Sequence, residues 1–150
     1  RTGVVDAVQV IYNIFDQNPE DELFPVCREL DIGVIARVPF DEGTLTGTLT
    51  ADSKWPEGDW RNGYFNPTHL RQSVERAEKL RPDLPQDMSM PDAALRFILS
   101  NDDVHTIIPG MRTLAHVDSN IATSGKQLSP AQIETLRPHR WVRKRTSWSG

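Results

Sequence analysis

Ile32-Gly33-Val34-Ile35-Ala36-Arg37-Val38-Pro39-Phe40 decides the fold class. Asp31-Ile32-Gly33 turns the chain, Val34 to Val38 runs apolar without clean alternation, and Pro39 stops it. Near-continuous apolar character is expected of a strand buried on both faces, as in parallel sheets. Upstream, Val4, Val5, Ala7, Val8, Val10, Ile11 and Ile14 form a second such run, broken by Asp6 and Gln9. Between the two, Asn18-Pro19 reads as a helix start, with Glu20, Asp21 and Glu22 suited to its dipole. Leu23, Val26, Cys27 and Leu30 follow at helical spacing, and Pro25 falls early enough to be tolerated in the first turn.

Downstream, Phe40 to Pro67 is too long for an ordinary connection, and loops of that length are usually functional or mobile. Its aromatics, Trp55, Trp60, Tyr64 and Phe65, suit either substrate contact or pinning of the loop. Asn66-Pro67 then caps a helix carrying Leu70, Val74, Ala77 and Leu80, closed by Arg81-Pro82. Ser89 with Asp92 opens another, striped with Ala94, Leu95, Ile98 and Leu99. A third strand, Val104 to Ile108, ends at Pro109-Gly110, and a helix with Val117, Ile121 and Ala122 is expected directly after it. Ser129-Pro130 with Gln132 starts the last helix, which carries Ile133 and Leu136. Strands alternating with helix-length spacers imply a parallel sheet with right-handed crossovers.

Composition narrows the function classes. The chain has 150 residues and a net charge of −4, which argues against a general nucleic-acid binder. No apolar run approaches the roughly 20 residues that span a bilayer. No signal peptide is visible, and the reading is of a cytoplasmic protein. The single cysteine, Cys27, excludes an internal disulfide and a Cys-rich zinc site, and its place on an apolar helix face makes it a core residue. His69, His105 and His139 lack ligand-like spacing, and no metal site is expected. The opening without methionine, directly into a strand, suggests that an N-terminal part of something larger is missing. Arg137 to Gly150, with Arg137, Arg140, Arg143, Lys144 and Arg145, reads as a solvated basic tail separate from a domain over 1–136.

Three motifs carry a family resemblance. Asp6-Ala7-Val8-Gln9-Val10-Ile11-Tyr12-Asn13 resembles the sixth barrel strand of the aldo-keto reductases. Ile32 to Phe40 with Gly43-Thr44-Leu45-Thr46-Gly47 is similar to their seventh strand and cofactor loop. Ile107-Ile108-Pro109-Gly110-Met111-Arg112 with His116, Val117 and Asn120 is similar to their eighth strand and phosphate-binding helix. The motifs stand in the family's order and spacing, and the resemblance spans most of residues 4–136. It implies an α/β fold, a partial (β/α)8 TIM barrel, represented by its C-terminal portion of about three parallel strands with surrounding helices. A complete barrel needs roughly 250 residues.

The resemblance also implies hydride transfer between NADPH and the carbonyl of a small-molecule aldehyde or ketone. The family's acid, a tyrosine helped by aspartate, lysine and histidine, comes from strands upstream of this chain, so no catalytic residue is assigned. Lys54, Lys79, Lys126 and Lys144 follow no expected strand end, and Tyr12 reads as a packing residue at the barrel rim. Gln9, a buried amide in an apolar strand, would hold the nicotinamide carboxamide. Arg37 stands where many members place a stacking aromatic; a guanidinium can stack or pair with phosphate. Val38, Pro39, Phe40, Gly43 and Leu45 match the loop over the pyrophosphate, reached through backbone N–H groups. Gly110 and Met111 would open a helix N-terminus to phosphate. Arg112, beginning that helix, would take the 2′-phosphate, with His116 and Asn120 along the same face. A non-catalytic NADPH-binding module resembling the potassium-channel β-subunits, or an inactive fragment, is the alternative. Neither nucleic acid nor membrane is expected as a partner, and oligomeric state is not readable.

Overall fold

A computed structural model describes residues 3–141. Its centre is a three-stranded parallel sheet in the order β1 (Ala7–Ile11), β2 (Gly33–Arg37), β3 (Thr106–Ile108). Gln9 stands opposite Ile35, and Ile35 opposite Thr106; Ile11 stands opposite Arg37, and Arg37 opposite Ile108. The helices are α1 (Leu23–Glu29), α2 (Arg61–Tyr64), α3 (Pro67–Leu80), α4 (Met90–Leu99), α5 (Leu114–Ile121) and α6 (Pro130–Leu136). The strand–helix alternation and parallel pairing are those expected from the sequence.

The core lies on the helix side of the sheet. Val34 and Ala36 of β2 are fully buried there with Tyr12, Phe15, Phe24, Cys27, Phe97, Ile98 and Leu136. The opposite face is open: Gln9, Thr106 and Ile108 are exposed, and Ile35 and Arg37 half-buried. Burial of the strands on both faces is therefore corrected to burial on one. The apolar run of β2 reflects the core on one side, with Ile35 its one large apolar side chain on the other.

Several boundaries differ from expectation. The first strand covers only Ala7–Ile11, because Tyr12 to Phe15 leave the sheet and turn into the core. Asn18 caps no helix: Asn18–Glu20 is a 3-10 turn without a side-chain cap, and its amide oxygen instead accepts from Arg140. α1 begins at Leu23, with Pro25 in its first turn, and Val26 faces solvent instead of the core. β2 ends at Arg37 because Val38 turns to φ 57°, where a strand cannot continue. The third strand is three residues long and begins at Thr106.

Three helix starts match their local signals. Asn66, Ser89 and Ser129 accept through their side chains from the N–H groups of His69, Asp92 and Gln132. Ser129 and Gln132 complete a reciprocal capping box.

The first part of the expected basic tail is packed. Arg137 pairs with Glu20 at 2.6 Å, and its carbonyl accepts from Gln17 at 3.1 Å. Arg140 reaches Asp21, and Trp141 donates its N–H to the Phe15 carbonyl at 2.7 Å. Trp141 also meets the Phe15 and His69 rings and carries the Arg76 guanidinium 4.3 Å from its ring centroid. The packed body thus continues past residue 136. Arg143, Lys144 and Arg145 lie outside the described residues.

Candidate active site

The sheet register brings the C-terminal ends of β1, β2 and β3 level with one another. Open parallel α/β sheets and barrels alike bind ligands at this end. Gln9, Ile35 and Thr106 form one row across the open face, and Ile11, Arg37 and Ile108 form the next. Gln9 and Arg37 are therefore diagonal neighbours on one face, roughly 8 Å apart between backbones by ordinary sheet spacing. Neither side chain hydrogen-bonds to another described residue. Gln9 is not the buried amide expected from the sequence; it is exposed on the open face. Its donors and acceptor are available to a ligand laid across the strand ends.

The segment after β2 departs from expectation in detail. Pro39 is buried, Leu45 is fully buried and Phe40 packs on the core, so their side chains are structural. The Phe40 carbonyl accepts from the N–H groups of Gly43 and Leu45, both at 2.9 Å, and the Val38 carbonyl accepts from Asp41 at 3.1 Å. These three amides are committed within the loop, which reduces the set of N–H groups expected to face a pyrophosphate. Val38, Asp41 and Glu42 all adopt left-handed φ values of 51–57°, and Gly43 follows at 110°.

The third strand end is open. A side chain at Gly110 would meet nothing within 4 Å, and the Gly110 carbonyl accepts from Asn120 Nδ2 at 3.2 Å. The helix does not begin there. Thr113 is its N-cap, accepting from the His116 N–H, and α5 runs from Leu114. Arg112 thus precedes the helix instead of opening it and does not share a helical face with His116 and Asn120. The start expected at Arg112 moves to Leu114 because the Thr113 cap, three residues before His116, is the stronger local signal. Met111, Arg112 and His116 are exposed. Arg112 lies close enough to Asp59 to add to the field that lowers its carboxyl pKa to about 2, although the dominant cause is the hydrogen-bonded Arg61.

The long connection is pinned by its aromatics at one end. Trp55 stacks on Phe65 at 5.1 Å, and Phe65 is buried against His69. His69 Nδ1 bonds the Tyr64 carbonyl at 2.9 Å. Trp60, in contrast, is half-exposed. His105 and His139 also have structural partners: His105 Nδ1 accepts from the Val34 N–H at 3.1 Å, and His139 meets Asp83 at 2.8 Å.

Tyr12 turns to the helix side. Its hydroxyl donates to Glu20 at 2.5 Å and accepts from Asn101 at 2.9 Å. Burial, reinforced by Glu20, pushes the phenol well above its usual range. It is a core residue, not an acid facing the open side. Cys27 is likewise buried, and burial raises its thiol pKa.

Two residues at the strand ends escaped the sequence reading. Thr106 presents a hydroxyl beside Ile35 on the open face. Asn13 is fully buried and ties the end of β1 to Val38. A polar residue at the end of an apolar run was the available signal for Asn13, by the same reasoning that singled out Gln9.

The profile of the Aldo/keto reductase family matches residues 4–140. The chain belongs to the aldo/keto reductase family. The NADH-specific methylglyoxal reductase of Escherichia coli is 31% identical over 137 residues, covering 90% of this chain and 42% of that protein. The aldo-keto reductase yakc [NADP(+)] of Schizosaccharomyces pombe is 26% identical over 89% of this chain and 41% of its own length. This aldo-keto reductase chain thus spans about two fifths of the curated relatives it matches. Among solved structures, the aldo-keto reductase AKR11C1 of Bacillus halodurans in its holo form has a TM-score of 0.69 at 23% identity, covering 98% of this chain and 45% of that one. The glycerol dehydrogenase AKR11B4 of Gluconobacter oxydans has a TM-score of 0.75 at 19% identity, covering 89% and 41%. The fold is a part of the family's α/β barrel: three parallel strands with their helices. No helix among the described residues is long and apolar enough to cross a membrane, and none of their His, Cys, Asp and Glu side chains group to hold a metal ion.

Proposed function

We propose that this chain is the dinucleotide-binding side of an aldo-keto reductase, corresponding to strands six to eight of the barrel. The observation that carries the proposal is the sheet register, which sets Gln9 on one open face, one row before the C-terminal row of Arg37 and Ile108 that leads to Gly110. Those groups suit a nicotinamide dinucleotide. Gln9 offers both a donor and an acceptor, which a carboxamide requires. Arg37 offers a flat cation for a ring or a phosphate. The unobstructed backbone at Gly110 admits close approach by a phosphate, and Arg112 beside it supplies the charge.

When bound, the reduced nicotinamide supplies a hydride to the carbonyl carbon of a small aldehyde or ketone. The residues of this chain bind and orient; the proton donor is supplied elsewhere in the protein, since Tyr12 is locked in the core with Glu20 and Asn101. This chain alone is therefore expected to show no carbonyl reductase activity in an NADPH oxidation assay. The cofactor we favour is NADPH, on the strength of Arg112. The related proteins named NADH-specific and NADP(+)-linked show that both choices occur among its relatives. A free buried thiol at Cys27 and the absence of a disulfide suit a cytoplasmic setting.

Substitution of Gln9 tests the reading. Gln9→Leu keeps the size and removes two hydrogen-bonding groups, each worth about 0.5–1.5 kcal/mol. The reduced dinucleotide should bind roughly tenfold more weakly to the full-length variant in a fluorescence titration. Unchanged affinity would contradict the assignment.

A further inference from the structure

We infer that Asn13 is a positioning residue, holding Val38 in a left-handed conformation and so shaping the backbone that leaves β2. The inference rests on the dinucleotide reading only where it concerns ligand affinity. Asn13 is fully buried. Its Nδ2–H donates to the Val38 carbonyl at 2.9 Å, while its Oδ1 accepts from the N–H groups of Phe15 and Asp16, both at 2.9 Å. The amide orientation is thereby fixed, because a flipped amide would set donors against two N–H groups and an oxygen against a carbonyl.

Val38 has φ 57°. For a β-branched residue this is a genuine outlier, and such conformations persist only where the surroundings over-determine them. Here the Val38 carbonyl is held from two sides. Asn13 donates from the exit of β1, and Asp41 donates from the loop itself at 3.1 Å. With its carbonyl fixed, the chain swings out of the strand into the segment where Gly43 and Leu45 both close on Phe40. Glycine would reach the same φ without restraint. The valine makes the loop depend on Asn13.

The test is a pair of substitutions. Asn13→Asp keeps the Oδ1 acceptor and removes the donor to Val38; Val38→Gly removes the conformational cost. Amide hydrogen exchange is read at Asp41, Gly43 and Leu45. In Asn13→Asp their exchange should rise about tenfold, the effect of one lost hydrogen bond to a carbonyl. The α4 amides of Ile98 and Leu99 should keep their protection, and the double variant should return the loop toward the wild-type rate. Val38→Gly alone should retain full loop protection, which decides the matter even if Asn13→Asp fails to fold. Unchanged loop exchange in Asn13→Asp, no recovery in the double variant, or a loosened loop in Val38→Gly alone would overturn the inference. A parallel titration of the full-length variants with NADPH should show a roughly tenfold weaker Kd in Asn13→Asp and recovery in the double variant. If the wild-type protein binds no NADPH, the cofactor reading fails, and the exchange experiment still decides the role of Asn13.

Discussion

Arg112 is the residue on which the choice between the two nicotinamide cofactors turns. They differ by one phosphate, so discrimination needs a cation near that group and little elsewhere. Arg112 is exposed two residues after the open backbone of Gly110, just ahead of the Thr113 cap. A charge-assisted hydrogen bond is worth roughly 1.5–3 kcal/mol, or about ten- to a hundredfold in affinity. Arg112→Ala in the full-length protein should weaken NADPH by that factor and leave NADH nearly unchanged; equal losses would show that Arg112 only supports the turn. The neighbouring Asp59 gives a separate test by pH. Its carboxyl falls from the ordinary 3.8 to about 2, chiefly through the hydrogen bonds from Arg61. A lowered folded-state pKa means the pair stabilises fully above pH 3.8 and loses its effect as the pH falls through 2. Melting temperatures followed from pH 5 down to 2 should fall less in Asp59→Asn than in the wild type. Parallel curves would contradict the assignment.

At the scale of elements, the helix caps show what local sequence can and cannot specify. Asn66, Ser89 and Ser129 each precede a proline or an apolar stripe at the right spacing, and each forms the expected side-chain bond. Ser129→Ala should lower stability by about 1 kcal/mol in urea denaturation, with no change in slope; no loss would mean that the α6 start is held by Leu136 packing instead. Asn18-Pro19 carries the same local signature and fails, because Asn18 and Asp21 are engaged by Arg140 and Glu20 by Arg137, more than 110 residues away in sequence. That competition is tertiary and left no mark in the local pattern. Val38 fails for a similar reason. Nothing in a Val-Ile-Ala-Arg-Val run announces a left-handed valine, since its partner Asn13 lies 25 residues upstream. Gln9 was legible as a candidate from its chemistry, and Arg37 as one from the family resemblance. That they share a face follows from the register of β1 on β2, which the sequence does not show.

The whole molecule has a buried side and an open one. Apart from the open face, α5 exposes Leu114 at 82% and Ile121 at 61%, and Ile108 and Met111 before it are also exposed. Among the described residues, β1 and β3 also leave their outer edges unpaired. Unpaired edges and exposed apolar side chains both promote association. The 150-residue chain studied alone should therefore elute from size exclusion as concentration-dependent oligomers, and Leu114→Lys with Ile121→Lys should shift it toward monomer; a sharp monomer peak with cooperative melting would count against that surface being apolar and uncovered. The central claim is that the level C-terminal ends of the three strands bind a nicotinamide dinucleotide. Hydrogen exchange of the full-length protein with and without NADPH tests it most directly. Protection is predicted at residues 9–13, 37–45 and 108–113, with little change in α1 or α6. Protection confined to the opposite ends of the strands, or none at saturating NADPH, would contradict it.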